Sequence, residues 1–251
     1  MNKEIYEKMN FKNTDVLYSF HRPIVEFDIH QASLSISDRY GLLDKDFVNK
    51  LKLLPKEDRV VQIGCIQRED KEFSKKILQY ELDIRKQFIE ENKIPLSDII
   101  TCHSDSLIFI YDGNIKDIKS DVDGIPFTHR NTWKSYMLYK EKIELYFDNN
   151  KMIIDYKGIP KDMIKQHMFG IHKYLMKVFH MLEENDYEIY RYLSMFQRKY
   201  LMNQLPDYYY FPFGYNGKYK LENMNLFGYI ADVALSSMKG GYYNGQQRRS
   251  V

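Results

Sequence analysis

The sequence predicts an α+β fold, with an antiparallel sheet and packed helices followed by a mostly helical region. Two observations predict it: short apolar runs alternate with helical patterns up to about residue 160, and apolar residues recur at helical spacing beyond it. Of the 251 residues, 44% are hydrophobic and 15% aromatic, which is enough for a packed core. We therefore expect a first domain over residues 1–160, a helical region over 161–240 and a flexible tail over 241–251.

The first half begins with a strand and continues with helices. Residues 23–28, PIVEFD, form a short apolar run that ends in Asp28, and residues 31–53 have a helical pattern. The β-branched run RVVQIGCI at 59–66 predicts a second strand. A long helix is predicted over 70–92, because one set of apolar residues falls on a single helical face. That face consists of Phe73, Ile77, Tyr80, Ile84 and Phe88.

Two hairpins are predicted next. The segments DIITC, HSDS and LIFIYDG form a strand, a polar turn and a strand, with Asp105 at the tip of the turn. In the second hairpin, WKSYMLYKEKIELYF and KMIIDYKGI flank the turn-forming Asp148-Asn149-Asn150. From Pro160 onward the pattern becomes helical, with further helices expected over 184–203 and near 222–238. The apolar positions after Pro160 are Met163, Ile164, His167, Met168, Ile171, Leu175 and Phe179.

Charge and cysteine content restrict the classes of protein. The net charge is +2, but residues 189–251 contain eight Lys/Arg and only three Asp/Glu, so the basic excess lies there. A phosphate-facing surface and an accidental asymmetry both explain this bias. Cys65 and Cys102 lack metal-type or disulfide-type spacing, and no apolar run is long enough to cross a membrane. We expect a cytoplasmic protein that is not attached to a membrane.

Asp28 and Asp105 are the residues most suited to carry chemistry. Asp28 ends an apolar strand, and Asp105 lies in the turn between two apolar strands. Carboxylate oxygens are hard ligands, which Mg²⁺ and Mn²⁺ prefer. Two ions held about 4 Å apart would activate an attacking hydroxyl and stabilise a leaving pyrophosphate. The simpler interpretation is that Asp28 caps the following helix and Asp105 is a hairpin turn residue.

Four segments in order resemble the palm of family B DNA polymerases, of the protein-primed phage or plasmid type. FDIHQASLSI, with Ile29 and Gln31 after Asp28, resembles motif A. ITCHSDSLIF resembles motif C, in which Asp105 matches the essential second Asp. Lys134-Ser135-Tyr136 resembles the Lys-x-Tyr motif, and YKGIPKDMI, which contains Lys157, resembles the segment leading toward the thumb. The resemblance covers residues 24–36 and 97–165.

The resemblance implies an activity and its ligands. Asp28 and Asp105 would bind Mg²⁺ or Mn²⁺, and Lys134, Tyr136 and Lys157 would contact primer DNA. The immediate neighbours of the motif C Asp would shape its turn; these are His103, Ser104 and Ser106. The function implied is transfer of nucleotides from nucleoside triphosphates to a primer paired with a DNA template, by a palm with a helical, thumb-like region.

The chain departs from the family pattern in several places. His103 stands where motif C has its first Asp, and Ser33 stands where motif A has the Tyr that excludes ribose. Residues 41–58 are too few for the fingers, the triphosphate-gripping motif is missing, and too few residues precede the first strand for an exonuclease. We therefore expect a partial polymerase whose fingers or exonuclease come from a second subunit.

Other interpretations remain open. Gln31 and the Asp105-Ser106 pair also match family A polymerases and single-subunit RNA polymerases, and the close spacing of the two Asp residues is similar to reverse transcriptases. The chain could instead be a non-catalytic, polymerase-derived module that binds DNA or a replication protein. A further alternative is a metal-dependent nuclease or phosphoesterase that uses Asp28 and Asp105, with His30 and His103 as candidates for activating water. A zinc site formed by these two histidines and the two cysteines lacks supporting spacing. The aromatic run at 208–215 suits either packing or base stacking.

Overall fold

The computed structural model describes residues 3–16, 18–139, 143–148, 153–157, 172–181, 184, 188–206 and 246–247. These residues form a mixed α+β structure, which confirms the predicted fold class. The chain divides into two compact units: unit 1 comprises Met1–Asn13 and Val25–Asn131, and unit 2 comprises Thr14–Ile24 and Thr132–Val251. The predicted boundary near residue 160 lies outside the described residues.

Unit 1 contains a sheet built from strands that are distant in the sequence. Its strands lie in the order β1, β3, β4, β2 and β6, and β5 pairs with β6. Antiparallel pairing joins β1 to β3, β3 to β4 and β5 to β6. β2 and β6 continue along the chain into unit 2. The bounds are β1 Phe11–Lys12, β2 Tyr18–Ile29, β3 Ile99–His103, β4 Ser106–Ile110, β5 Asp121–Val122 and β6 Ile125–Tyr139. The predicted strand ending in Asp28 and the hairpin around Asp105 are therefore confirmed.

The stretch between the two aspartates is largely helical. It contains α1 Ala32–Tyr40, α2 Lys45–Leu53, α3 Lys56–Glu69 and α4 Lys71–Glu91. The side chains of Asp44 and Asp70 accept hydrogen bonds from the first amides of α2 and α4, so each of these helices begins at a capping carboxylate. The predicted helices over 31–53 and 70–92 are confirmed, the first as two helices. Short 3₁₀ helices lie at Lys3–Tyr6, Leu96–Asp98 and Ile115–Asp117.

The prediction of a strand over 59–66 is wrong, because these residues form the middle of α3. Val60 and Val61, which suggested the strand, are 61% and 63% exposed. β-branched residues favour strands when they pack on a half-buried sheet surface, and here no sheet surface covers them. Glu57 and Asp58 in the first turn favour the helix, since acidic side chains interact well with a helix N-terminus.

An aromatic cluster forms the centre of the unit 1 core. Phe88 of α4 stacks on Phe127 with ring centroids 4.1 Å apart and lies 5.6 Å from Phe27 of β2. Phe109 of β4 lies 6.1 Å from Phe27. The predicted face of α4 is confirmed: four of its five members are buried, and Tyr80 packs against them as a partly buried residue. This core holds β2, β4 and α4 together and thereby determines where the strand ends lie.

Unit 2 combines a strand meander with helices. Residues 135–139 of β6 pair antiparallel with β7 Ile143–Asp148, which pairs antiparallel with β8 Ile153–Lys157. The predicted β7–β8 hairpin is confirmed. However, the segment 133–147, predicted as one strand, is two strands: β6 ends at Tyr139 and β7 begins at Ile143, and Lys140-Glu141-Lys142 separates them.

The helical part of unit 2 is described only in segments. Residues 172–181 form α5, and α6 spans Ile189–Leu201, within the predicted helices after Pro160 and over 184–203. Residues 160–171 and the predicted helix near 222–238 lie outside the described residues, as does most of the predicted tail over 241–251. Within that tail, Gln246–Gln247 form β9, which pairs with Tyr18 and Ser19 of β2. Among the described helices, none is both long and apolar enough to cross a membrane.

Candidate metal centre

The structure brings Asp28 and Asp105 to neighbouring positions. Asp28 is the next-to-last residue of β2, and Asp105 lies in the turn between β3 and β4, the strand next to β2. The Ile29 amide donates a hydrogen bond of 2.9 Å to the Asp105 carbonyl. The His30 amide donates one of 2.8 Å to the Pro126 carbonyl on the other side of β2. The end of β2 is therefore fixed on both sides, next to the turn that carries Asp105.

Local backbone geometry explains why the chain changes direction at both aspartates. Gln31 has a left-handed conformation, with φ 48°, and it separates β2 from α1. Ser104 also has a positive φ, 53°, in the turn before Asp105. Residues other than glycine occupy this region at an energetic cost, and such residues persist where surrounding contacts determine them. The two turns are thus held in place by the rest of unit 1.

Arg85 of α4 supports the turn that carries Asp105. Its side chain is only 3% exposed, and it donates a hydrogen bond of 2.6 Å to the Ser104 carbonyl. It also donates to the carbonyls of Lys8 at 2.7 Å and Met9 at 3.0 Å. A buried guanidinium must satisfy its donors within the protein, and Arg85 does so with main-chain oxygens. It therefore joins α4, the N-terminal segment and the turn.

Different charged groups act on the two aspartates. Burial raises the pKa of Asp105, and the charge of Asp28 raises it further, whereas the charges of Arg130 and Lys56 act in the opposite direction. Two carboxylates that share one site repel each other when both are ionised. Oδ2 of Asp28 accepts a 2.8 Å hydrogen bond from Nε of Arg130, an ion pair.

One oxygen of the pair accepts no hydrogen bond within the described part of the chain. Oδ1 of Asp28 is buried and accepts no hydrogen bond from any residue that the structure describes. A buried, unpaired carboxylate oxygen is costly unless a cation or a donor satisfies it. Carboxylate oxygens are ligands for Mg²⁺ and Mn²⁺, so the donor chemistry of Asp28 and Asp105 fits a divalent cation. The described residues contain no cluster of three or more His, Cys, Asp or Glu side chains suited to a metal, so further ligands would be water or substrate oxygens.

Two further carboxyl groups lie near the pair, and the sequence analysis missed both. Glu26 lies two residues before Asp28 on β2, and it accepts hydrogen bonds from Asn131 at 2.6 Å and from Ser106 at 3.3 Å. Burial, together with the charge of Asp105, raises the pKa of Glu81 on α4 to about 7. The signal for Glu26 was the strand alternation, since residues two apart share a face. Arg130 and Asn131 belong to β6, and no local pattern in the sequence indicates that they contact Asp28 and Glu26.

The remaining residues that the sequence analysis considered for the site differ in burial and in their hydrogen-bond partners. His103 is half-buried, with Nε2 lying 3.3 Å from Oγ1 of Thr101. Oγ of Ser33, on α1, accepts a 3.3 Å hydrogen bond from Nε2 of Gln67 on α3. Of the cysteines considered for zinc, Cys65 is exposed and Cys102 is buried in the unit 1 core.

The predicted primer-binding residues lie in unit 2. Lys134 and Tyr136 are on β6; Lys134 is half-buried, whereas Tyr136 is fully buried and its ring centroid lies 5.1 Å from that of Tyr146. Lys157 is the last residue of β8, and its side chain lies outside the described part of the structure. Contact of these three residues with a primer stays a prediction.

A polar groove of about 480 Å³ lies in unit 1 beside the end of β2. Cationic side chains from three helices line it: Arg39 of α1, Lys52 of α2 and Arg59 of α3. Arg39 pairs with Asp123 at 2.5 Å and Lys52 with Asp38 at 2.6 Å. His30 and Gln31, the residues that follow the Asp28 strand, line the same groove together with Ser35 and Pro126.

Comparison with known proteins gives a family but no activity. No curated protein matches the chain. A protein-family model described as Bacteriophage PBS1 gene 130 protein matches residues 1–239, nearly the whole sequence. The chain therefore belongs to the Bacteriophage PBS1 gene 130 protein family.

Proposed function

We propose that this protein is a partial DNA polymerase, a palm-type nucleotidyltransferase that holds Mg²⁺ or Mn²⁺ between Asp28 and Asp105. One observation carries the proposal: the end of β2, which holds Asp28, lies beside the turn that holds Asp105, because the Ile29 amide donates a 2.9 Å hydrogen bond to the Asp105 carbonyl. The buried, unpartnered Oδ1 of Asp28 supports a cation at this position.

The roles of the protein's own groups follow from this arrangement. A bound divalent ion would supply Lewis-acid activation of a primer 3′ hydroxyl and charge stabilisation at the departing pyrophosphate. Asp28 and Asp105 supply fixed oxygen ligands on rigid strand ends, so little reorganisation is required during the reaction. Arg85 acts through the backbone, because it holds Ser104 and thereby orients the Asp105 turn.

The groove beside β2 supports nucleoside triphosphate as the second substrate. Lys52 and Arg59 reach it from α2 and α3, the helices between the two aspartates. This helical stretch is larger than the 41–58 segment considered from the sequence, since α3 replaces the predicted strand. Cationic side chains beside the proposed metal site suit the phosphate groups of a triphosphate, because they neutralise the negative charge of those groups. Additional fingers or an exonuclease from a second subunit remain part of the proposal.

A second candidate is a non-catalytic, polymerase-derived module that binds DNA or a replication protein. Arg130 already neutralises Asp28 through the 2.8 Å ion pair, and within the described ranges no third metal ligand joins the two aspartates. If this candidate is right, replacing both aspartates leaves partner binding intact. A single-subunit RNA polymerase-like fragment predicts instead that ribonucleotides are incorporated.

Primer extension by the purified full-length chain tests the proposal. The chain is mixed with primed DNA template, deoxynucleotides and Mg²⁺ or Mn²⁺, with and without the product of the neighbouring gene. Asp28→Asn and Asp105→Asn should each reduce extension by about 100-fold or more, because the loss of a metal ligand removes several kcal/mol of transition-state stabilisation. Asp83→Asn, which removes the same charge from an exposed position of α4, should leave extension unchanged. Failure to extend under every condition would reject the polymerase assignment.

A further inference from the structure

Asp28, a ligand of the proposed metal site, forms an ion pair with Arg130. Nε of Arg130 is 2.8 Å from Oδ2 of Asp28, and the guanidinium charge also acts on Asp105. Asp28 therefore already has a positive charge at hydrogen-bond distance. A divalent ion bound to the same two carboxylates would meet electrostatic repulsion from this guanidinium at short range.

The contact between Arg130 and Asp28 is a single hydrogen bond on a partly exposed side chain. Its side chain is 45% exposed, whereas that of Asp28 is 21% exposed. Only Nε bonds Asp28, so the pair is not the bidentate arrangement that makes Arg–carboxylate contacts strong. An exposed ion pair with a single hydrogen bond contributes little net stability, because water solvates the released guanidinium.

The neighbouring carboxylate does not offer Arg130 an equivalent place. Glu26 is only 8% exposed and already accepts hydrogen bonds from Asn131 and Ser106. Arg130 is therefore attached to Asp28 alone among the carboxylates of this strand, and nearly half of its side chain is in contact with solvent. By contrast, Arg85 is buried and bonds several main-chain carbonyls, as expected for a permanent structural arginine.

We propose that Arg130 is the resting cation of the aspartate pair and that a divalent ion binds by displacing its guanidinium from Asp28. This inference rests on the metal site of the proposed function but not on polymerase activity. One cation replaces another at Asp28: the divalent ion binds the carboxylate oxygen, and the Arg130 guanidinium moves into water. Arg130 thereby weakens metal binding in the free protein and sets the ion concentration at which the site fills.

Titration with Mn²⁺, followed by electron paramagnetic resonance of the free ion, tests the exchange. Arg130→Gln should bind Mn²⁺ about tenfold more tightly than the wild type, because removal of an exposed ion pair releases the Asp28 oxygen. Arg130→Lys retains the charge and should stay near the wild-type affinity. Arg191→Gln, which removes another ion-paired arginine in unit 2, is the matched control and should not change the affinity.

A second measurement follows the guanidinium itself. In the wild-type chain with ¹⁵N-labelled arginine, Mg²⁺ should shift the Nε–H signal that is missing from Arg130→Gln and should speed its exchange with water. Unchanged Mn²⁺ affinity in Arg130→Gln, with binding still lost in Asp28→Asn, would overturn the exchange and keep the metal site. Absence of Mn²⁺ binding in both the wild type and Arg130→Gln would overturn the exchange and the metal site together. Tighter binding in Arg130→Gln without primer extension would support the exchange and reject the polymerase.

Discussion

The two sides of β2 in unit 1 differ sharply over five consecutive residues. Val25, Phe27 and Ile29 belong to the buried hydrophobic core, which we call the core side. Glu26 and Asp28 alternate with them on the opposite face; we call these two residues, together with Asp105 in the adjacent turn, the acid side. Successive side chains of a strand point to opposite faces, so a single strand builds both.

The difference between the two sides is energetic. On the core side, the Phe88 ring packs against those of Phe27 and Phe127, and the buried cluster excludes water. On the acid side, Asp105 has a raised pKa and Oδ1 of Asp28 has no partner in the described residues. Unfavourable local electrostatics of this kind are found at functional sites, where the core supplies the stability that the site lacks. We therefore expect substitutions on the two sides to change stability in opposite directions.

The largest effect is expected on the core side. Phe88→Ala removes a fully buried ring from between Phe27 and Phe127, so it should lower the free energy of unfolding by about 3–5 kcal/mol. Leu78→Ala, at a 43% exposed position of the same helix, should cost less than about 1 kcal/mol. Urea denaturation followed by circular dichroism measures both. Equal losses for the two variants would show that the aromatic cluster is not the main support of the sheet.

An intermediate effect is expected where α4 approaches the acid side. The pKa of Glu81 is raised to about 7 in the folded chain, above its ordinary value of 4.5. The Glu81 carboxyl therefore binds its proton more tightly in the folded state than in the unfolded state. Its contribution to stability is complete below pH 4.5 and is lost as the pH rises through about 7. The fall attributable to Glu81 amounts to about 3 kcal/mol.

Glu81→Gln should remove that pH dependence, since a neutral amide has no proton to lose. Glu90→Gln, on an exposed part of the same helix, should retain it. Urea denaturation at a series of pH values between 4 and 8 would measure the difference. Parallel pH profiles for the wild type and Glu81→Gln would contradict the burial of an ionising carboxyl beside Asp105.

The smallest effect, with the opposite sign, is expected at the acid side itself. Asp105→Asn removes a partly buried charge that Asp28 repels, so at pH 7 it should stabilise the fold by less than about 1 kcal/mol. Thermal unfolding at pH 7 and at pH 3 measures this gain, which should shrink at pH 3, where the wild-type carboxyl is protonated. Destabilisation at pH 7 would mean that Asp105 stabilises the turn rather than serving a ligand.

Local patterns in the sequence predicted most of the elements around the site. The apolar run before Asp28, the hairpin around Asp105 and the apolar face of α4 each depend on neighbours within a few residues. Their prediction succeeded because alternation and helical spacing record burial directly. The prediction at Val60 and Val61 failed because β-branching indicates a strand only where a sheet covers the side chain, and both residues are exposed.

The remaining parts of the site depend on contacts between distant segments. Arg130 reaches Asp28 from 102 residues away, and Arg85 reaches Lys8 from 77 residues away. Such pairs leave no periodic signal, because either partner alone is an ordinary charged or main-chain group. The primer-binding prediction for Lys134 and Tyr136 is of another kind, since it depends on resemblance alone and stays a prediction.

The bonding of Arg85 has a consequence for any manipulation of the N-terminal segment. One side chain serves as a common anchor for the main chain at Lys8, at Met9 and at Ser104. A deletion or fusion that moves Lys8 and Met9 deprives the guanidinium of acceptors and frees it to withdraw from Ser104. The orientation of Asp105 is thereby coupled to a segment more than ninety positions earlier in the chain, and changes made there act on the aspartate without touching it.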